Sequence, residues 1–107
     1  MNATISVTSD VTTLATILTL EPENQPKLVD LLKDNVDKVV STLPGWISTS
    51  FMVSSDRRRV IIYSQWRDVG AVQAMQSNPQ MRAYFPRIAA LAAFDSIAGD
   101  IVYTRHS

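Results

Sequence analysis

Three groupings of side chains in this sequence could do chemistry. The first is Trp66, which ends an alternating run of β-branched and aromatic residues just before Asp68, a helix-capping residue type. An indole there is either a large apolar filler or an N–H donor aimed into a cleft between sheet and helices. The second is Arg82 and Arg87, set beside Met81, Tyr84 and Phe85. Arginines so close to an apolar stripe either lay their stems along it or clamp an oxyanion in a cleft. A third cluster, Arg57-Arg58-Arg59, reads as an anion patch or as a solvated hairpin that blunts a sheet edge.

Other reactive types are sparse. The one histidine, His106, lies beside the C-terminus and reads as a frayed surface residue. With no internal histidine a Ser-His-Asp arrangement cannot be built. Absence of cysteine excludes disulfides, thiolate metal sites and a cysteine nucleophile. The three glycines are dispersed, so there is no phosphate-cradling loop. Ten basic residues balance ten acidic ones, which disfavours a protein that grips nucleic acid by neutralising phosphates.

The elements that must position these groups follow from patterning. The 107 residues, 46% of them hydrophobic, make one globular domain, with residues 1–10 as a loose arm. Residues 1–20 contain no basic residue ahead of an apolar run, and no apolar run approaches 20 residues. A cytoplasmic protein without membrane contact is therefore expected. Residues 11–20 alternate as a strand, with Leu14, Thr16, Leu18 and Leu20 on one face. Two prolines then lead into a helix over 27–43 whose stripe is Leu28, Leu32, Val36, Val39/Val40 and Leu43, with Asp34 and Lys38 paired on the wet side. Leu43-Pro44-Gly45 stops it.

Residues 46–54 alternate again. Ile47, Thr49, Phe51 and Val53 take one face, and Trp46, Ser48, Ser50 and Met52 the other. After a turn at 54–58, residues 60–66 return as a strand with Val60, Ile62, Ser64 and Trp66 on one face. Apolar residues on both of its faces predict a central strand covered on both sides. Asp68 caps a short helix through Ser77, and Asn78-Pro79 starts another, which Pro86 must break near Arg82. A last strand is expected over 97–104. The order β-α-β-β-α-β is the ferredoxin-like arrangement of the α+β class, an antiparallel sheet with helices on one face. Covering the other face calls for a second copy, so a homodimer is expected.

The segment from Gln25 to Asp68 resembles the antibiotic-biosynthesis monooxygenase family, and is most similar to its small anthrone and phenol oxygenases. The resemblance rests on the Lys27-Leu28-Val29-Asp30-Leu31 start of the helix, the Pro44-Gly45-Trp46 turn, the Ser/Asp hairpin, and Tyr63-Ser64-Gln65-Trp66 closing a strand. It implies a dimeric α+β barrel in which each subunit has its own pocket, and an oxygenase that needs no cofactor. It also implies a polycyclic aromatic phenol or anthrone as substrate and O₂ as oxidant, with a quinone as product. Trp66 matches the family's strand-terminal Trp, and Arg87 lies close to an Arg of its last helix; both are expected to be catalytic. Positions where relatives carry Asn fall at Ile62 and Thr16, and a helix Tyr falls at Val72. With Val36, Phe51, Met75 and Tyr84, these residues are expected to line the substrate pocket. Tyr84 also stands where the haem-degrading branch carries its axial His, which argues against haem. Because Ile62 and Val72 cannot hydrogen-bond a substrate oxygen, the alternative is a non-catalytic dimeric module that binds an aromatic ligand.

Overall fold

The computed structural model describes residues 11–105 and Ser107; the arm expected over 1–10 and His106 lie outside the described residues. Strand β1 (Thr12–Thr19) forms from the alternating segment, with Leu14 and Leu18 turned into the core. A 3-10 turn at Pro22–Asn24 leads into helix α1 (Gln25–Lys38), with Pro26 in its first turn, where a missing N–H costs nothing.

The helix is shorter than its apolar stripe predicts. It ends at Lys38, and Val40–Thr42 forms a separate 3-10 turn. Thr42 Oγ1 donates to the Val39 carbonyl at 2.6 Å and Ser41 Oγ to that of Asp37 at 3.2 Å. Hydroxyls that bond their own backbone in this way weaken a helix end built from β-branched residues.

Gly45 makes the next turn at φ +85°, and a Cβ there would stand 2.6 Å from the Ala71 Cβ. Only glycine combines that backbone with that approach. Strand β2 (Trp46–Val53) and strand β3 (Arg59–Trp66) form a hairpin. In its turn, Asp56 accepts from the Ser54 hydroxyl and the Arg58 backbone, while Arg57 takes φ 62°. Arg57 donates to the Gln25 side chain at 3.0 Å and Arg58 lies 3.7 Å from Glu21.

The expected alternation fails at one point. The β2–β3 register shifts between Trp46 and Ser48, so that Trp46 stands opposite Trp66. That bulge puts Trp46 on the helix side of the sheet, where its indole donates to Thr49 Oγ1 at 2.9 Å.

Both capping signals operate. Asp68 Oδ1 accepts from the Ala71 N–H at 2.8 Å and opens α2 (Val69–Ser77); Asn78 Oδ1 accepts from Gln80 and Met81 and opens α3 (Pro79–Arg82). The chain breaks after Arg82, as Pro86 requires, and restarts as α4 (Phe85–Ala89). Strand β4 spans Ala93–Gly99, earlier than the expected 97–104. Its partner fixes its length: β1 begins at Thr12, and the pairing runs from Thr19↔Ala93 to Thr13↔Gly99.

The sheet order is β2-β3-β1-β4, all antiparallel, and the fold is ferredoxin-like α+β. Leu18, Leu28, Val60, Trp66 and Val72 are the most deeply buried side chains, between the sheet and the helices. β3 is central, as expected, but its second face is only half covered. On that face Ile17, Met52 and Ile97 are 42%, 53% and 66% exposed.

Candidate active site

A cavity of about 310 Å³ lies between the sheet and the helices, at the small end of the range for small-molecule sites (~300–1,000 Å³). Its floor is the helix side of the sheet. β1 contributes Leu14, Thr16 and Leu18; β3 contributes Ile62, Ser64 and Trp66. Residues two apart share a face, so each strand's alternation selects these side chains. Thr49 and Phe51 of β2 and Phe94 and Ser96 of β4 complete the floor, and Leu32, Asn35 and Val36 of α1 form one wall. A second wall comes from Met75 and Gln76 of α2 and from Met81, Phe85 and Ile88 of the broken helix. Pro86 thus splits one helix into two short pieces that bend around the cavity.

Register organises the polar groups of the floor. Thr16 stands opposite Ser96 on one side and Ile62 on the other; Ser64 stands opposite Leu14 and Thr49. Ser96, Thr16, Ser64 and Thr49 therefore draw a diagonal of hydroxyls across an otherwise apolar surface. Thr16 and Ser96 share a hydrogen bond of 2.8 Å at the β4 side, where Ser96 and Phe94 are exposed and the cavity meets solvent. Phe94 packs at a tilt on Phe85, with ring centroids 6.4 Å apart.

Trp66 is 0% exposed, and among the described residues its indole Nε1 has no hydrogen-bond partner. A buried N–H without an acceptor costs about 1–3 kcal/mol. Trp66 lines the cavity, so a substrate oxygen brought within reach of that N–H would relieve the cost.

Of the residues singled out in the sequence, Trp66, Thr16, Val36, Phe51, Ile62 and Met75 line this cavity together. Val72 is buried in the core behind it. Tyr84 and Arg87 stand outside its lining. The Tyr84 hydroxyl donates to Asp34 Oδ2 at 2.8 Å, Lys38 binds the other oxygen of that carboxylate at 2.8 Å, and the Arg87 guanidinium lies 4.9 Å from the centre of the Tyr84 ring. Lys38, then Tyr84, holds the Asp34 carboxyl below its ordinary range; the bond to Asp34 pushes the Tyr84 hydroxyl up. This cluster fastens α4 to the outer side of α1.

Sequence reasoning passes over Asn35, which the helical spacing puts next to Leu32 and Val36 on the apolar stripe. A polar residue inside such a stripe was the available signal. Ser64 was legible as sharing a strand face with Trp66. No group of three or more His, Cys, Asp or Glu side chains is placed to hold a metal among the described residues, and none of their helices is long and apolar enough to cross a membrane.

Comparison with known proteins places this geometry. The model of the antibiotic biosynthesis monooxygenase family matches residues 12–87, which include β1 to β3 and both cavity walls except Ile88. The tetracenomycin-F1 monooxygenase of Streptomyces glaucescens is 34% identical over 83 residues, 78% of this chain and 74% of that protein. Two solved structures share the fold. A variant of SnoaB, a cofactor-independent oxygenase from Streptomyces nogalater, superposes with a TM-score of 0.82 at 13% identity, covering 90% of this chain and 97% of that one. The monooxygenase ActVA-Orf6 of Streptomyces coelicolor, in complex with the ligand nanaomycin D, gives 0.81 at 19% identity over 90% and 91%. Of the two readings the sequence left open, these relatives carry the enzyme: the chain belongs to the antibiotic biosynthesis monooxygenase family, and it is a monooxygenase.

Proposed function

We propose that this protein oxidises a flat polycyclic phenol or anthrone to a quinone in the 310 Å³ cavity, with O₂ as oxidant and no cofactor. The observation that carries the reading is that Trp66, on the floor of an apolar cavity, has a fully buried N–H without a partner among the described residues. The names of the relatives agree with it: one is a tetracenomycin-F1 monooxygenase, one is a cofactor-independent oxygenase, and one is a monooxygenase that holds the ligand nanaomycin D.

Val36, Phe51, Ile62 and Met75 supply the apolar contacts for the ring system, and the hydroxyl diagonal meets its peripheral oxygens. The substrate is its own reductant. Loss to solvent of the anthrone methylene proton, or of the phenol O–H proton, leaves an anion whose charge is shared between a ring carbon and the conjugated oxygen, and a proton returns when the peroxide forms. The indole N–H donates to that oxygen as the charge develops, which is the moment at which a preset donor is most effective. One electron passes to O₂, and the resulting radical pair joins through a C–O bond to form a hydroperoxide. Loss of water breaks the O–O bond and leaves a carbonyl. One oxygen atom of O₂ stays in the quinone and the other leaves as water. Tyr84 and Arg87, outside the lining, act by holding α4 against α1 and so fixing the cavity wall.

The second copy belongs to the same proposal. Ile17, Met52 and Ile97 leave an apolar sheet face open, and a partner sheet packed back to back would cover it.

Oxidation of an anthrone under ¹⁸O₂ tests the reaction. The reading expects one labelled oxygen in the quinone; label entering only from H₂¹⁸O would refute it.

A further inference from the structure

Asn35 stands on the cavity side of α1 and is 3% exposed. Its neighbours on the stripe, Leu28 and Leu32, are buried and apolar, and a leucine at position 35 would continue the pattern without desolvating an amide. Among the described residues the Asn35 Nδ2 donates to the thioether sulfur of Met81 at 3.3 Å. Thioether sulfur is a weak acceptor. The buried amide therefore has a partner, but one that any ligand oxygen would better. Met81, on α3, lines the same cavity beside Asn35, and its flexible side chain can give way. The same lining holds a second donor without a strong acceptor, the Trp66 indole, which has no partner among the described residues.

We infer that Asn35 is a substrate-binding residue, whose amide exchanges the Met81 sulfur for an oxygen substituent of the bound aromatic, a phenol hydroxyl or a quinone carbonyl. With Trp66 on β3 and Asn35 on α1, the cavity has a donor on its floor and another on its wall. A ring oxygenated at two positions is then held in one orientation, while a bare hydrocarbon is held by shape alone. The inference rests on the reading that the cavity takes a polycyclic phenol or quinone, and it names the residue that selects the oxygenated ring.

The test compares two probes, 1,8-dihydroxyanthraquinone and anthracene, which is the same ring system without oxygen. Binding is followed by quenching of tryptophan fluorescence, with Tm measured in parallel. In Asn35→Leu the quinone should bind at least about tenfold more weakly, the cost of losing a buried hydrogen bond, with anthracene changed less than twofold and Tm unchanged or raised. Equal losses for both probes would assign Asn35 to cavity shape, and unchanged binding of both would remove it from the site; either result overturns the inference. Met81→Leu gives an independent arm should Asn35→Leu fail to fold. Without the competing sulfur the quinone should bind more tightly, and unchanged or weaker binding overturns the inference. Wild-type protein that binds neither probe also overturns it. Wild-type protein that binds the quinone but turns over no anthrone refutes the oxygenase reading and leaves the assignment of Asn35 to be decided by the variants.

Discussion

Trp66→Phe separates the indole N–H from the bulk that surrounds it. Two terms act on stability, with opposite signs. Trp66 is fully buried, so the smaller ring leaves roughly 40 Å³ empty, worth about 1 kcal/mol at ~24 cal/mol per Å³ of residual cavity. Removing a buried N–H that has no partner among the described residues returns about 1–3 kcal/mol. The variant is therefore expected to be as stable as the wild type or up to about 2 kcal/mol more stable, and Tm should hold or rise. Activity should move the other way. Loss of one donor to a developing oxyanion in a water-poor site costs about 2.7–4 kcal/mol of transition-state stabilisation, a fall in kcat of roughly 10²–10³. The assay is oxygen uptake with an anthrone, run beside thermal unfolding of the same preparation. Turnover within about threefold of wild type would refute the role of the N–H. A fall in activity accompanied by a drop in Tm of more than about 5 °C would assign the loss to packing instead.

Gly45→Ala should destabilise by roughly 2–5 kcal/mol in urea unfolding, since a side chain at φ +85° must also displace Ala71. The bond to Asp34, then burial, raises the folded-state pKa of Tyr84 above its ordinary 10.0. That contribution is fully present below pH 10 and is lost as pH rises through the folded value, so Tm of the wild type should fall across that alkaline range by more than Tm of Tyr84→Phe. Asp34, held low by Lys38 first and Tyr84 second, contributes in the opposite window: its share is present above its ordinary 3.8 and is lost as pH falls below it, which a Tm series from pH 5 to 2 would read against Asp34→Asn. Light scattering should give about twice the 11.9 kDa chain mass for the wild type and the single mass for Ile97→Glu, whose charge would sit on the open sheet face; a monomeric wild type at micromolar concentration would refute the back-to-back dimer.

Much of the architecture was readable because local signals and tertiary demands agree. Leu14, Thr16 and Leu18 alternate in sequence and share the cavity floor in space. Asp68 and Asn78 are capping types and do cap, and Pro86 breaks the helix where its ring and missing N–H require. The misread elements are those that local pattern does not decide. β4 takes its length from β1, a partner about 80 residues away, so the apolar residues at 101–103 mislead. The bulge at Ile47 moves Trp46 across the sheet, and alternation cannot signal one extra residue. At the site, strand residues were legible because period 2 assigns each to a face. Tyr84 and Arg87 neighbour cavity residues in sequence, yet the five-residue α4 and its cap carry Tyr84 onto Asp34 and Arg87 onto the Tyr84 ring. Asn35 was hidden because a polar residue in an apolar stripe gains meaning only once the neighbouring wall, with Met81, is seen.

The central claim is that this cavity oxygenates an aromatic substrate which supplies its own electrons. Oxygen uptake by chelator-treated protein with a simple anthrone, recorded together with quinone absorbance, tests it most directly. The account predicts uptake proportional to enzyme, well above the uncatalysed rate, with one O₂ consumed per quinone formed and no recovery of rate on adding metal or flavin. Activity that disappears with chelation and returns with metal would contradict it.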